Sequence, residues 1–236
     1  YTERLFAQLP AGPCRILDIG GGAGETARKL IALGHSVDIV VPSAFLAERC
    51  RQNAPAARVH ECKFEDLQAA PGSFDLCLFS ESFQYIPYDF SLPRCLTLLA
   101  PGGQILIADC FRSEGFRPDT VRATVDGGHR IGAYRKALAA QPLDVVHEED
   151  ITDRVAPSVD LEQQLFNVFG YAIGRIDAEF ARTRPGLRRL VAAVFRLMMS
   201  ARKRTRLSQR LNEQSRNATV FKTNNTYLIQ RLQPRR

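Results

Sequence analysis

The stretch Arg15-Ile16-Leu17-Asp18-Ile19-Gly20-Gly21-Gly22-Ala23-Gly24-Glu25-Thr26-Ala27-Arg28-Lys29-Leu30 constrains this chain more than any other. A short apolar run ends in an acid and a glycine cluster follows. Ala27, Leu30 and Ile31 then recur at the spacing of one helix face. That order reads as a buried strand, a tight turn and a helix N-terminus. Glycines let the backbone turn sharply and let a ligand approach the main chain with no Cβ in the way. The helix start beyond them offers free N–H groups to a carboxylate or phosphate. Gly20, Gly22 and Gly24 give G-x-G-x-G, but Glu25 follows, so the dinucleotide fingerprint G-x-G-x-x-G is not met. The plain alternative is a turn that binds nothing, and packing alone gives little reason for so many glycines.

The rest of the chain repeats the strand-then-helix order. Residues Tyr1 to Leu9 read as a short helix ended by Pro10 and Gly12. Strands are expected at Arg15–Ile19, Ser36–Val41, Ala57–Phe64, Phe74–Phe79, Gln104–Cys110 and Leu143–His147, with a last one at Tyr227–Leu232. Helices are expected from the glycine loop to about Leu33, through Phe45, Leu46 and Cys50, around Leu92–Leu99, and near Ala133–Ala140. Phe74–Phe79 is almost continuously apolar, as a strand covered on both faces should be. Alternation of this kind calls for an α/β fold with a doubly wound, mostly parallel, seven-stranded sheet of Rossmann-like type. Residues 151–212 break the rhythm with two helical patterns, Val159–Phe180 and Pro185–Leu211. They are expected to form a helical cap inserted before the last strand, with 1–150 and 213–236 as the core.

Composition narrows the class. With 45% hydrophobic and 24% charged residues the chain is ordinary for one globular domain. No apolar run reaches the length of a membrane span, and nothing at the start reads as a secretory signal. The six cysteines are scattered with no C-x-x-C pair, which reads as reduced thiols in the cytoplasm. The net charge of +7 resides mainly after residue 181, so it belongs to one segment.

With Asp18 just before the glycine loop, the pattern resembles the first motif of class I S-adenosylmethionine-dependent methyltransferases. The resemblance implies S-adenosyl-L-methionine as cofactor, held by Asp18, Gly20, Gly22 and Gly24. It covers about residues 14 to 158 and, more loosely, the final strand. The family asks for an acid after the second strand to hold the cofactor's ribose. That slot is Val41 here, Asp38 faces the other way on its strand, and Ser43 offers one hydroxyl. Lys63-Phe64-Glu65-Asp66-Leu67 resembles the segment that lies along adenine, with Lys63 in the acid's place. Phe64 would cover the ring, and Glu65 or Asp66 would take the exocyclic amine. Each missing acid removes roughly 0.5–1.5 kcal/mol of hydrogen bonding if nothing replaces it. The same fold with an altered ligand, or none, therefore stays open as a rival reading.

Ser80-Glu81-Ser82-Phe83-Gln84-Tyr85-Ile86-Pro87 is similar to the segment of tocopherol, sugar and alkaloid methyltransferases. Glu81 and Ser82 match and Ser80 falls beside the cofactor, while Gln84 and Tyr85 stand where those enzymes carry histidine. Methyl transfer needs mostly positioning and exclusion of water, and a base only if the acceptor must lose a proton. The candidates are Asp109, at the end of the fifth strand, then Tyr85 and Glu81. A capping Asp109 and a packing Tyr85 are the plain alternatives. His129 and His147 read as packing or surface residues. Glu148–Ser158 resembles the segment leading from the sixth strand into the cap. No metal site is expected, since no His pair has ligand spacing.

Leu187, Leu190, Val191, Val194, Phe195 and Met198 form a helical stripe, with Arg188, Arg189, Arg196, Arg202, Lys203, Arg204, Arg206 and Arg210 around and after it. The expectation is a cap helix whose stripe packs on the fold or lines the acceptor pocket. The alternative is a membrane-surface methyltransferase of a lipid or quinone, in peripheral contact through the basic helix near 187–210. No nucleic-acid partner is expected, because the N/D-P-P-Y/F motif is absent after the fourth strand. The reading is a methyltransferase of a small, fairly apolar metabolite, in specialised metabolism; its oligomeric state does not follow from the residues.

Overall fold

The computed structural model describes residues 1–116, 127–212 and 217–235. Seven strands form one sheet: β1 (Arg15–Ile19), β2 (Ser36–Val40), β3 (Arg58–His60), β4 (Phe74–Ser80), β5 (Leu99–Arg112), β6 (Leu143–Asp150) and β7 (Asn225–Pro234). Their order is β3-β2-β1-β4-β5-β7-β6. β3, β2, β1, β4 and β5 pair in parallel, whereas β7 runs antiparallel to both β5 and β6. This is the seven-stranded, mostly parallel sheet expected of the alternating pattern.

The parallel strands are apolar because helices cover both faces. Ile16, Leu17 and Ile19 of β1 and Leu76, Cys77, Leu78 and Phe79 of β4 are fully buried. Around them lie α1 (Thr2–Phe6), α2 (Glu25–Ala32), α3 (Ala44–Asn53), α4 (Tyr88–Leu98) and α5 (Ile131–Ala139). Single 3-10 turns at Phe64–Asp66 and Phe83–Tyr85 follow β3 and β4. β3 is three residues long, shorter than the eight expected, because the chain leaves the sheet after His60 for the turn that seats Phe64.

The chain divides into two compact units. The first holds 1–114, 127–152 and 225–236 and contains the whole sheet. The second holds 115–126 and 153–224, of which 117–126 and 213–216 lie outside the described residues. Its helices are α6 (Thr152–Thr183), α7 (Pro185–Met198), α8 (Ala201–Asn212) and α9 (Ala218–Asn224). The core therefore resumes at Asn225 rather than at 213. The second helical pattern splits in two because Met199 is extended and the Ser200 hydroxyl accepts from the Lys203 amide, starting a new helix.

The apolar stripe of α7 does not pack. No residue of this helix is buried. The side chains of Arg202 and Arg206 lie outside the described residues.

Candidate active site

The sheet order reverses between β1 and β4, and ligands of open parallel sheets lie beyond the strand ends at such a switch point. A cleft of about 480 Å³ opens there, lined by Ile19, Gly20, Val40, Pro42, Lys63, Phe64, Glu65, Glu81, Ser82, Tyr85 and Ile86.

The glycine loop is fixed from three sides. The Gly20 amide donates to the Val40 carbonyl at 2.8 Å, and the Ser82 hydroxyl donates to the Ile19 carbonyl. The Cys50 thiol and the Asn53 amide donate to the carbonyls of Gly22 and Ala23 at 3.2 and 2.9 Å, turning those carbonyls toward α3. A Cβ on Gly20 would stand 2.5 Å from that of Ser82, so close approach of two loops excludes a side chain. Gly22 differs: its φ is +55° and a Cβ there would meet nothing within 4 Å. Left-handed backbone beside open space leaves room for a ligand against the main chain.

Beneath this loop Asp18 is fully buried, and neither carboxylate oxygen has a hydrogen-bond partner. Burial pushes its pKa up to about 7. A buried acid lacking a partner costs stability unless something supplies a donor or a positive charge. The ammonium of an amino-acid ligand is one such group.

Opposite the loop, Glu81 has φ +60°, the one positive value among the described non-glycine residues. Its amide donates to the Ala108 carbonyl at 2.9 Å. Its carboxylate accepts from the Tyr227 hydroxyl at 3.0 Å. Burial, with Tyr1 and Glu81 nearby, drives the Tyr227 pKa far up, so Tyr227 stays the donor.

Residues 16–103 match the model of a family described as a methyltransferase domain. Over that region the chain is similar to methyltransferase domains. It is 31% identical over 109 residues to a tRNA 5-carboxymethoxyuridine methyltransferase of Escherichia coli strain K12, covering 43% of this chain and 42% of that protein. It is 30% identical over 125 residues to a ubiquinone biosynthesis O-methyltransferase of Cereibacter sphaeroides, covering 48% of each. The matches thus span about half the length of these relatives. In fold it is similar to a sarcosine dimethylglycine methyltransferase described as putative, from Galdieria sulphuraria, with a TM-score of 0.66 and 16% identity over 99% of this chain and 85% of that one.

The expected residues separate into two groups. Gly20, Phe64, Glu65, Glu81 and Tyr85 line the cleft, and Tyr85 is 79% exposed there. Phe64 is buried and packs edge-on against Phe79 and Phe90, both at 6.0 Å between ring centres. Gly24 stands at the start of α2, its position crowded by the backbone of Cys50. Val41 is buried and outside the lining, its amide donating to the His60 carbonyl at 3.1 Å. The place where the resemblance expects a ribose-binding acid therefore presents Val40 and Pro42 to the cleft. Asp38 takes the His60 ring at 2.6 Å, and the Ser43 hydroxyl caps α3, so neither replaces it.

Asp109 does not reach the cleft. It is fully buried and accepts the amides of Gln84 at 3.0 Å and Cys110 at 2.7 Å. Burial raises its pKa to about 6, and Glu81 adds to the rise against the amide hydrogen bonds. It anchors the turn after β4. His129 grips the same turn from the other side, its Nε2 facing the carbonyls of Phe83 and Ile86 at 3.0 Å each. His147 sits on β6 and lines no part of the cleft. Ser80 shares a hydrogen bond of 2.6 Å with the Tyr1 hydroxyl.

Sequence reasoning missed Tyr227 and the clasp made by Ser82. Antiparallel pairing sets Tyr227 opposite Cys110, one residue beyond Asp109. Only the direction of β7 places it there, and no motif records that direction.

Proposed function

We propose that this chain transfers the methyl group of S-adenosylmethionine to a small, fairly apolar metabolite at O, N or C, in specialised metabolism and in the cytoplasm. The observation that carries the reading is the unpartnered, buried carboxylate of Asp18 beneath a glycine loop that is open at Gly22. These residues fit the methionine part of the cofactor, and the Phe64 turn fits its adenine part. At the ribose the chain offers no acid, which lowers the expected affinity. Apolar lining by Ile19, Val40, Phe64 and Ile86 suits an apolar acceptor, and six free cysteines suit a reducing compartment.

Bound, the cofactor supplies an activated methyl group on a sulfonium. The chain's own part is to orient and to handle a proton. The loop and Asp18 hold the amino-acid end. The turn anchored by Asp109 and His129 sets the cleft's far wall and keeps water out. Glu81 is the carboxylate placed to take a proton from a hydroxyl acceptor, oriented by the Tyr227 hydroxyl.

Calorimetric titration with S-adenosylmethionine and S-adenosylhomocysteine, alongside Gly22→Arg, tests this. The expected result is binding by the native protein and none by the variant, with both folded. No binding by either overturns the reading. It favours the same fold with an altered ligand, for which the buried Val41 in the ribose slot is the supporting observation.

A further inference from the structure

The second unit carries a surface that methyl transfer leaves unexplained. Leu190, Val191, Val194, Phe195, Leu197 and Met198 of α7 are between 46% and 90% exposed. At 3.6 residues per turn they fall within an arc of about 160°, with Arg189 and Arg196 on the opposite side and Arg188 at the edge of the arc. On α6, Phe169, Ile173 and Ile176 are more than half exposed as well. Isolated exposed apolar residues are ordinary, but a full helical arc of them marks an interaction site. The Arg188 guanidinium meets both carboxylate oxygens of Asp177 at 2.8 and 2.9 Å, tying α7 to α6. Arg210 does the same for α8, pairing with Glu162 at 3.1 Å and lying 4.0 Å from the Phe166 ring centre.

The charge around this surface selects the partner. Residues 180–212 hold ten lysines and arginines and no acid. A second copy of the chain would bury the apolar arc but would bring together two segments whose basic residues outnumber the acids of α6 that pair with them. A nucleic acid would answer the charge and leave the apolar arc in water. An anionic lipid bilayer answers both, since an amphipathic helix lies in the headgroup plane with its apolar face among the acyl chains and its arginines at the phosphates. Among the described residues no helix is long and apolar enough to cross a membrane, so the contact is peripheral.

We propose that α7, with the basic residues that follow it, docks this protein on an anionic bilayer surface. The inference stands apart from the methyl-transfer reading, because it uses none of the cleft residues.

Vesicle flotation of the full chain tests it, with phosphatidylcholine vesicles and with vesicles that also contain phosphatidylglycerol. The expected result is flotation with the anionic vesicles, weakened by more than about tenfold with neutral ones and by high salt. Leu190→Glu with Val194→Glu abolishes it. Arg189→Glu with Arg196→Glu removes the preference for anionic lipid. Both double variants keep the native circular dichroism and cofactor titration, because the changed side chains are exposed. Absence of flotation at low salt overturns the proposal. If light scattering then shows a dimer that Leu190→Glu with Val194→Glu makes monomeric, the arc is a self-association face. If instead tRNA is bound, and lost only in the arginine variant, the segment serves nucleic acid.

Discussion

β4 and α7 are comparably apolar in sequence and opposite in fate. Leu76, Cys77, Leu78 and Phe79 of β4 are wholly removed from water, while α7 buries no residue. β4 has strands on both sides and helices on both faces. The stripe of α7 lies exposed, and the proposed bilayer contact would cover it. The same residue types are therefore core in one region and surface in the other, and only the environment tells them apart.

The largest effect separates the two regions directly. Phe79 packs edge-on against Phe64 and Phe83, at 6.0 and 5.2 Å between ring centres. Phe79→Ala is expected to cost about 3–5 kcal/mol in denaturant unfolding. Leu190→Ala should stay within about 0.5 kcal/mol of the native value. A large loss at Leu190 would mean that the arc is covered within the chain, and the contrast would fall.

Titration gives the next largest effect. Asp18 ionises in the unfolded chain near pH 4 but keeps its proton in the fold up to about pH 7. Its contribution to stability is thus complete below pH 4 and declines as the pH rises to about 7, by on the order of 4 kcal/mol. Asp18→Asn removes that decline, so its unfolding free energy plotted against pH between 4 and 7 is flatter than the native curve. An unchanged slope would show that the carboxylate has a partner. No such titration is expected from changes in α7.

Smaller effects sharpen the picture at the cleft. Ser82→Ala leaves the buried Ile19 carbonyl without its donor and is expected to cost about 1–3 kcal/mol. Glu81→Gly should act in the opposite sense. Relief of the left-handed backbone raises stability by about 1 kcal/mol, while turnover of a hydroxyl acceptor falls by about 10² or more. Loss of both stability and turnover would place Glu81 among the supporting residues.

Much of the sheet was legible because a glycine cluster after an apolar run and the continuous Phe74–Phe79 segment each admit few folds. Gly20, Phe64, Glu65, Glu81 and Tyr85 were legible as residues beside the cleft through their places after strands. Asp109 was misplaced in role, since a strand-end acid looks alike whether it faces a cleft or caps a turn. The deciding amide beyond its own neighbour Cys110 belongs to Gln84, twenty-five positions earlier in the chain. Tyr227 was illegible because its partner lies 146 positions away across an antiparallel crossing. The α7 stripe was legible as amphipathic but not as exposed, for periodicity fixes which face is apolar and says nothing of what covers it.

The position of β7 has a consequence for biosynthesis. It lies between β5 and β6, and it bonds to both. A nascent chain that has emerged only as far as residue 224 has its five parallel strands available for pairing, while β6 still awaits its neighbour. The sheet closes only when residues 225–234 leave the ribosome, and the Tyr227 hydroxyl reaches Glu81 in the same event. Any truncation before Asn225 therefore yields a chain with an open sheet edge and a Glu81 carboxylate without its Tyr227 donor. Emergence of β7 and orientation of Glu81 are one step.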